Sequence, residues 1–463
     1  MTTGSDTVMH ASRPRGPDAP GVGALLLAGL AVLAVAALVV ALFVGTRQPA
    51  AATLSARPGS LSTAERVTIE SVTQYWRQEM PRTYDRDYTE LRGGYQPKTP
   101  RSKPWTCGGK RVTYKNIRGN AFYCGGPNDD YIAYDASFLF PQLNKTFGSV
   151  SPAIVLAHET GHAVQHRAGV QAPSIVIELQ ADCFAGSWSG FAHQSSADTV
   201  DLAPNALDSS VAVMLTLRDQ VGSPGTNPQA HGLGFDRVNA FQTGYDNGAK
   251  ACARFPSAGV PTTELPFRTP LEAQTHGNLP YSIAVPLFEK SLDGFWATAA
   301  PRVKPGSTFR APATEPVRTL PLPRCAGQQP SNVPQLLEYC ARDNVISWPD
   351  SRLLQVHARL GDMATGAVLS DGWGEAAQTQ LGLPVKGREA GLQRDCFTGA
   401  WVSALASGAQ PELSLSPGDV DEVLSVIVAS SFQPGADRSD RAGAFDRTQA
   451  LRAGVLQGLS PCG

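Results

Sequence analysis

The sequence predicts a helix-rich α+β fold, present twice in tandem behind one N-terminal transmembrane helix. Three observations carry that expectation: an uninterrupted apolar run near the N-terminus, a gap-free internal match at an offset of 213 residues, and helical patterns closed by glycine in the matched segments. A chain of 463 residues also exceeds what one core usually fills, which favours two folded units. Lys and Arg total 39 against 40 Asp and Glu, so no overall field attracts nucleic acid, and polyanion binding is excluded as the main function. With 42% hydrophobic and 17% charged residues the composition is that of a globular chain, not of a disordered, collagenous or polytopic membrane protein.

Val22 to Val44 contains neither charge nor proline and, at 23 residues, is long enough to cross a hydrocarbon core of about 30 Å. Residues 22–46 are therefore expected to be a membrane anchor, with residues 1–21 as a cytoplasmic tail and 47–61 as a linker. A cleaved signal peptide is the alternative, because Ala50 and Ala52 offer an A-x-A site, but its apolar region usually runs only about 7 to 15 residues. Flanking arginines, Arg13 and Arg15 before the run and Arg47 and Arg57 after it, scarcely orient it. The eight cysteines orient it better: all lie beyond residue 106, an even set that suits disulfides outside the cytosol. The folded part is accordingly placed on the extracytoplasmic side.

Val155 to Trp188 aligns without gaps to Val368 to Trp401, with 13 of 34 positions identical. Gly161, Gln165 and Gly169 match Gly374, Gln378 and Gly382. Leu179, Gln180, Asp182, Cys183, Phe184 and Gly186 match Leu392, Gln393, Asp395, Cys396, Phe397 and Gly399. Further on, Phe235-Asp236-Arg237 matches Phe445-Asp446-Arg447, followed by Gly244 with Gly454 and Cys252 with Cys462. Upstream, Cys107 and Tyr123-Cys124 match Cys325 and Tyr339-Cys340, and Trp76 matches Trp296. Residues 62–256 and 278–463 are thus expected to be two diverged copies, joined by residues 257–277. Four cysteines permit three pairings in each copy, and the favoured set is Cys107 with Cys124, Cys183 with Cys252, Cys325 with Cys340, and Cys396 with Cys462.

The chemistry sits in the first copy. Ser151 to Gly169 reads as a helix with Ser151 as N-cap, Pro152 in the first turn and Gly169 as the stop. His158 and His162 fall one turn apart on one face, so both imidazoles can reach one Zn²⁺, while Glu159 can approach water at the metal without being a ligand. A catalytic zinc needs a third protein ligand. Glu178, near the start of an apparent helix from Pro173 to His193, is the leading candidate. Asp182, four residues on and on the same face, is placed to accept the distal N–H of a ligand histidine. His166 extends the histidine stripe by a turn and is expected to face solvent.

These residues resemble the bacterial neutral zinc metallopeptidases, through HETGHAVQ at His158 to Gln165 and ELQADC at Glu178 to Cys183. The resemblance covers roughly residues 62–256 and extends to the wider gluzincin group. It implies a zincin-like metallopeptidase domain with His158, His162 and Glu178 as ligands of one zinc ion and Glu159 as catalytic base. Local support comes from Phe122-Tyr123-Cys124, from the strand running through Tyr134-Asp135, and from His231-Gly232. The sequence departs from the family at Gly125, where Pro is usual, and at Leu233-Gly234-Phe235-Asp236, where small and polar residues are usual.

The implied reaction is hydrolysis of a peptide or protein substrate by metal-activated water, with Glu159 moving the proton. His231 is the candidate donor to the oxyanion, an ordinary loop histidine being the other reading. In the second copy His158, Glu159, His162 and Glu178 are replaced by Asp371, Gly372, Glu375 and Gly391, so zinc is expected in the first copy only. The expectation is a membrane-anchored peptidase followed by a catalytically dead copy whose own protein partner is open. A noncatalytic zinc-bearing scaffold in the envelope and an amidase acting on cell-wall peptides are the alternatives.

Overall fold

The computed structural model describes residues 61–463 apart from 195–199, 201–203, 223–230, 261, 264, 319–321, 323–324, 326–335, 411 and 432–441. The span expected at residues 22–46 lies outside the described residues, and no described helix is long and apolar enough to cross a membrane. The architecture is α+β and helix-rich, with small sheets whose strands Asp130–Asp135 and Val345–Pro349 are largely buried.

Helix α1, Thr63–Tyr84, begins with a reciprocal capping box between Ser62 and Glu65 and buries Val72, Tyr75, Trp76 and Met80. Strand β1, Tyr95–Lys98, is followed by a hairpin of β2, Trp105–Cys107, and β3, Lys110–Val112. Strands β4, Ala121–Gly125, and β5, Asp130–Asp135, complete a sheet of order β1-β5-β4, in which β1 runs parallel and β4 antiparallel to β5. Four helices follow: α2, Leu139–Phe147; α3, Val150–Ala168; α4, Ser174–Gln194; and α5, Pro204–Thr216. Helix α6, Gly234–Asn247, follows, and two single-turn helices, Ala249–Cys252 and Phe255–Ala258, close this segment. Gly169 stops α3 in the left-handed region, at φ 72°, as the sequence suggests. Its start differs from expectation. Ser149 is the N-cap and Ser151 lies inside the first turn, its N–H bonded to Gly148 O. Pro152 is still tolerated there, because the first-turn N–H groups have no intrahelical acceptor.

The second segment contains α7, Tyr281–Val303, then β6, Ala313–Val317, β7, Glu338–Cys340, and β8, Val345–Pro349. These strands make a sheet of order β6-β8-β7, with β6 parallel and β7 antiparallel to β8. Helices α8, Asp350–Leu360, α9, Asp362–Leu381, α10, Arg388–Ala406, α11, Asp419–Ser431, and α12, Ala444–Gln457, complete the chain.

Small residues set the closest helix crossings. A Cβ on Gly186 of α4 would lie 1.8 Å from Phe241 O of α6, and one on Gly244 of α6 would lie 1.8 Å from Cys183 O. In the second segment Gly399 of α10 and Gly454 of α12 meet Leu451 O and Cys396 O at 2.2 and 2.1 Å. At such distances only hydrogen fits, so these glycines are required by backbone contact. Disulfides brace the ends of the same layers: Cys183 of α4 joins Cys252, in the short helix Ala249–Cys252 beyond α6, Cys396 of α10 joins Cys462, in the turn Ser460–Cys462 beyond α12, and two more join Cys107 to Cys124 and Cys325 to Cys340. Aromatic packing follows the same scheme: Trp76 meets Phe184 edge-on at 4.9 Å, and Trp296 meets Phe397 edge-on at 4.9 Å.

One apolar core runs continuously from Val72 to Cys462. Where the segments meet, each caps a helix of the other. Asp421 in α11 accepts from the N–H groups of Gly234 and Phe235 at the start of α6, at 2.8 and 2.7 Å. Asp208 in α5 accepts from Phe445 N–H at the start of α12, at 2.8 Å. A carboxylate at a helix N-terminus satisfies otherwise unpaired donors and meets the positive end of the dipole. The departure at Gly234 has its reason here, since a Cβ would sit 3.1 Å from Asp421 Oδ2 and 2.6 Å from Leu215.

Two outcomes are expected. Gly399→Ala forces two backbones apart and should cost about 1–3 kcal/mol, read as a lower denaturant midpoint. Asp130 ties β5 to the end of α3 through Arg167, with further bonds from Tyr123 OH and Arg92 N–H. Burial pushes its carboxyl up, but those three donors outweigh it and hold it below the usual range. Its contribution is therefore complete above the ordinary Asp value of about 3.9 and is lost as pH falls through the lowered folded value. The difference in thermal midpoint between Asp130→Asn and the parent should shrink correspondingly below about pH 4.

Candidate metal centre

Helix α3 presents His158, Glu159 and His162 toward α4, which returns along it and brings Glu178 and Asp182 to the same place. Gly161 permits this approach: its Cβ position lies 3.1 Å from Ala181 Cα. His158 Nδ1 meets Asp182 Oδ1 at 2.8 Å, which turns the His158 Nε2 toward the His162 Nε2, 3.1 Å away. His162 is oriented in turn by Gln165 Oε1, at 2.9 Å from its Nδ1. The Glu178 carboxylate closes the triangle, with Oε2 3.3 Å from His158 Nε2 and Oε1 3.6 Å from His162 Nε2.

Those three separations test the fit of a metal. A tetrahedral ion with bonds of about 2.0–2.1 Å has ligand-to-ligand edges of about 3.3–3.4 Å, and the observed values bracket that figure. Two ring nitrogens 3.1 Å apart cannot each carry a proton pointing at the other, whereas both can donate a lone pair to one ion. His158, His162 and Glu178 therefore form a group able to hold a metal ion, with a donor set of two imidazoles and one carboxylate that suits zinc.

Charge in the site is balanced by pairing. Burial works against a proton on His158, yet Asp182 and Glu178 lift its imidazole to about 10. His162 is likewise raised against its burial, chiefly by Glu178. Burial alone would raise the Glu178 carboxyl, but His162, His231 and His158 bring it well below the usual range. A cation held by this group would face the same carboxylates that favour a proton there.

Asp182 is fully buried and serves two partners. Besides His158, it receives a bidentate Arg237 from α6, Nε to Oδ2 at 2.7 Å and Nη2 to Oδ1 at 2.8 Å. Arg237 is the functional residue that inspection of the motif overlooks. Its signal was in the internal match, because Asp395 and Arg447 persist together and make the same bidentate pair, both bonds 2.8 Å. Among the described residues no histidine pairs with Asp395. Asp371 instead pairs with Arg394 at 2.8 Å, so an ion pair stands where the first segment has histidine.

Glu159 is buried and accepts from the Tyr123 N–H of edge strand β4, Oε2 to N 2.9 Å. His231 lies on the loop before α6, with its N–H and Nδ1 both on Asp219, at 2.6 and 3.1 Å. Burial is again outweighed, here by Glu178 and Asp219, and the imidazole is raised above its usual value. The adjacent Gly232 packs against Leu179 and Ile175 on α4, which sets this loop beside the site. His166 is exposed, its ring edge against Tyr123, and takes no part in the group.

Comparison with known proteins agrees with this chemistry. The family described as "Putative neutral zinc metallopeptidase" matches residues 166–255, a stretch that includes Glu178, Asp182, His231 and Arg237 and begins after His162. The uncharacterized protein YpfJ of Escherichia coli K12 is 31% identical over 151 residues, covering 28% of this chain and 52% of YpfJ. The uncharacterized proteins Rv2575 of Mycobacterium tuberculosis H37Rv and Mb2605 of Mycobacterium bovis are each 32% identical over 166 residues, covering 30% of this chain and 56% of theirs. The chain thus spans about half the length of the curated relatives it matches. No solved structure matches it significantly.

The double duty of Asp182 separates two variants. Arg237→Met and Arg447→Met each strand a buried carboxylate and should each cost about 3–5 kcal/mol in denaturant melts. Only Arg237→Met should also weaken zinc binding, by about 10- to 100-fold in a competition titration, because only Asp182 orients a ligand.

Proposed function

We propose that this chain is a membrane-anchored, extracytoplasmic zinc peptidase, with one zinc ion held by His158, His162 and Glu178. The observation that carries the reading is the convergence of two Nε2 atoms and one carboxylate at 3.1, 3.3 and 3.6 Å, with Glu159 buried on the same helix. The matched family description and the four disulfides, which belong to an oxidising compartment, support it.

A bound zinc ion would supply a Lewis acid, polarising a carbonyl and making water nucleophilic near neutral pH. The protein's own groups do the rest. Glu159, steadied on Oε2 by the Tyr123 N–H, takes a proton from the attacking water and delivers it to the leaving amine nitrogen. Asp182, itself fixed by Arg237, keeps the His158 Nδ1–H engaged so that Nε2 faces the ion. His231, with Nδ1 on Asp219, offers its second ring nitrogen as a donor to the developing oxyanion.

In this reading residues 62–256 form the peptidase domain, residues 257–277 the linker, and residues 278–463 a tandem copy that has lost its ligands. The shared strand order, the paired glycine crossings, and the matching Asp-Arg pairs support the duplication. The copy's remaining task is structural, because its Asp421 caps the helix that carries Arg237.

The test uses the full-length chain with zinc content and peptide cleavage measured together. Wild type should hold one zinc ion and cleave casein. Glu159→Gln should keep the zinc while cleavage falls by about 10²- to 10⁴-fold. A zinc-loaded wild type that cleaves neither casein nor a peptide library would transfer the assignment to a noncatalytic scaffold. Cleavage restricted to cell-wall peptides would make it an amidase.

A further inference from the structure

A second group of potential ligands lies away from the histidines, where α9, α11 and the linker meet. Asp362 opens α9, and Asp419 and Glu422 lie in the first turn of α11. Each offers one oxygen such that all three lie within 4.8 Å of one another. Acids at helix starts are ordinary, and each here does accept a backbone N–H: Asp362 Oδ2 from Leu279, Asp419 Oδ2 from Ser416, and Glu422 Oε2 from Met363, at 2.8, 2.6 and 2.9 Å. Capping accounts for one oxygen of each carboxylate. It does not account for the other: Asp362 Oδ1 and Asp419 Oδ1 are buried with no hydrogen-bond partner, on side chains of residues only 4% exposed.

Among the described residues no cation forms an ion pair with the group: Arg218 pairs with Asp421 at 3.4 Å and Arg268 bonds Ser414 and Leu415, and these two act on Glu422 and Asp419 only from a distance. His357, on the Asp362 side, and Glu272, on the Asp419 side, are the other titratable groups facing it. Burial raises all three carboxyls; repulsion from the neighbouring acids adds to it at Asp419 and Glu422, whereas at Asp362 a side-chain hydrogen bond with Glu422 and the nearby His357 work the other way. Glycine makes room for the arrangement, since a Cβ on Gly361, at φ 105°, would fall 2.0 Å from the Glu422 carboxyl carbon. A cleft of about 420 Å³, whose lining includes Asn278, His357, Arg359, Gly361 and Glu422, opens beside it.

We propose that Asp362, Asp419 and Glu422 form a structural calcium site that fastens α11 to α9. An all-oxygen donor set suits a hard cation, and bonds of about 2.4 Å allow ligand oxygens to stand up to about 4.8 Å apart. The open cleft admits the waters that complete six- to eightfold coordination. Helix α11 is worth fastening, because its Asp421 caps α6 and so supports Arg237. The site is separate from the histidine group and does not depend on the peptidase reading.

The test is a Ca²⁺ titration of metal-stripped full-length protein, followed by thermal melting and calorimetry. Ca²⁺ should bind with a midpoint of about 0.1–1 mM and raise the melting temperature saturably by about 5 °C. The double variant Asp419→Asn, Glu422→Gln should keep its zinc content and lose the Ca²⁺ response. Should that variant fail to fold, Asp419→Asn alone should weaken Ca²⁺ binding at least about tenfold by calorimetry. A wild type with no saturable Ca²⁺ response, or variants that respond as the wild type does, would overturn the assignment.

Discussion

Asp182 holds the centre of the molecule together because it must be charged while fully buried. A lone carboxylate in such a place would be neutralised or expelled, and two donors prevent this: the guanidinium of Arg237 and the imidazole of His158. Pairing on one side fixes α6 to α4. Pairing on the other turns the His158 ring so that its second nitrogen faces His162 and Glu178. One carboxylate thus joins a helix-packing contact to a ligand orientation, and neither can shift without the other. The second segment shows the packing half of that role by itself, since Asp395 pairs with Arg447 and, among the described residues, with no histidine.

Support for Arg237 reaches beyond residues 62–256. Its helix begins on Gly234 and Phe235, whose N–H groups are met by Asp421 from α11, while Asp208 returns the same service to α12. Across this contact Gln242 donates to Phe445 O and Thr448, and Arg452 reaches Asn239 and Thr243. The segments consequently share one core, and the histidine group rests on helices that both of them brace. This gives the second segment a physical role toward the histidine group: removing it would uncap α6 and expose the face that α12 covers.

Much of this was legible in the residues. The spacing of His158 and His162 and the glycine stop at Gly169 follow from local geometry, which a linear pattern records well, while the favoured cysteine pairing came from the internal match and Glu178 from its place on the following helix and the family resemblance. Arg237 was harder, because its motif is separated from Asp182 by a loop and only the repeated pairing with Asp395 and Arg447 hinted at it. The start of α3 was misjudged by two residues, as Ser149 and Ser151 are equally good caps and the choice between them rests on the turn from α2. The group formed by Asp362, Asp419 and Glu422 carried no signal, since its members are 57 and 60 residues apart on two helices.

By itself the sequence pointed to which residues could ligate a metal, which of them have no counterpart in the matching stretch 368–401, and which cysteines and glycines recur at the same spacing. These follow from residue chemistry and helical periodicity, both local. The tertiary structure decided which carboxylates share a site, which arginine neutralises Asp182, and which helix of one segment is capped by the other. Those outcomes depend on how buried charges find partners across separate helices, and a charge can be compensated by any donor that packing brings within about 3 Å.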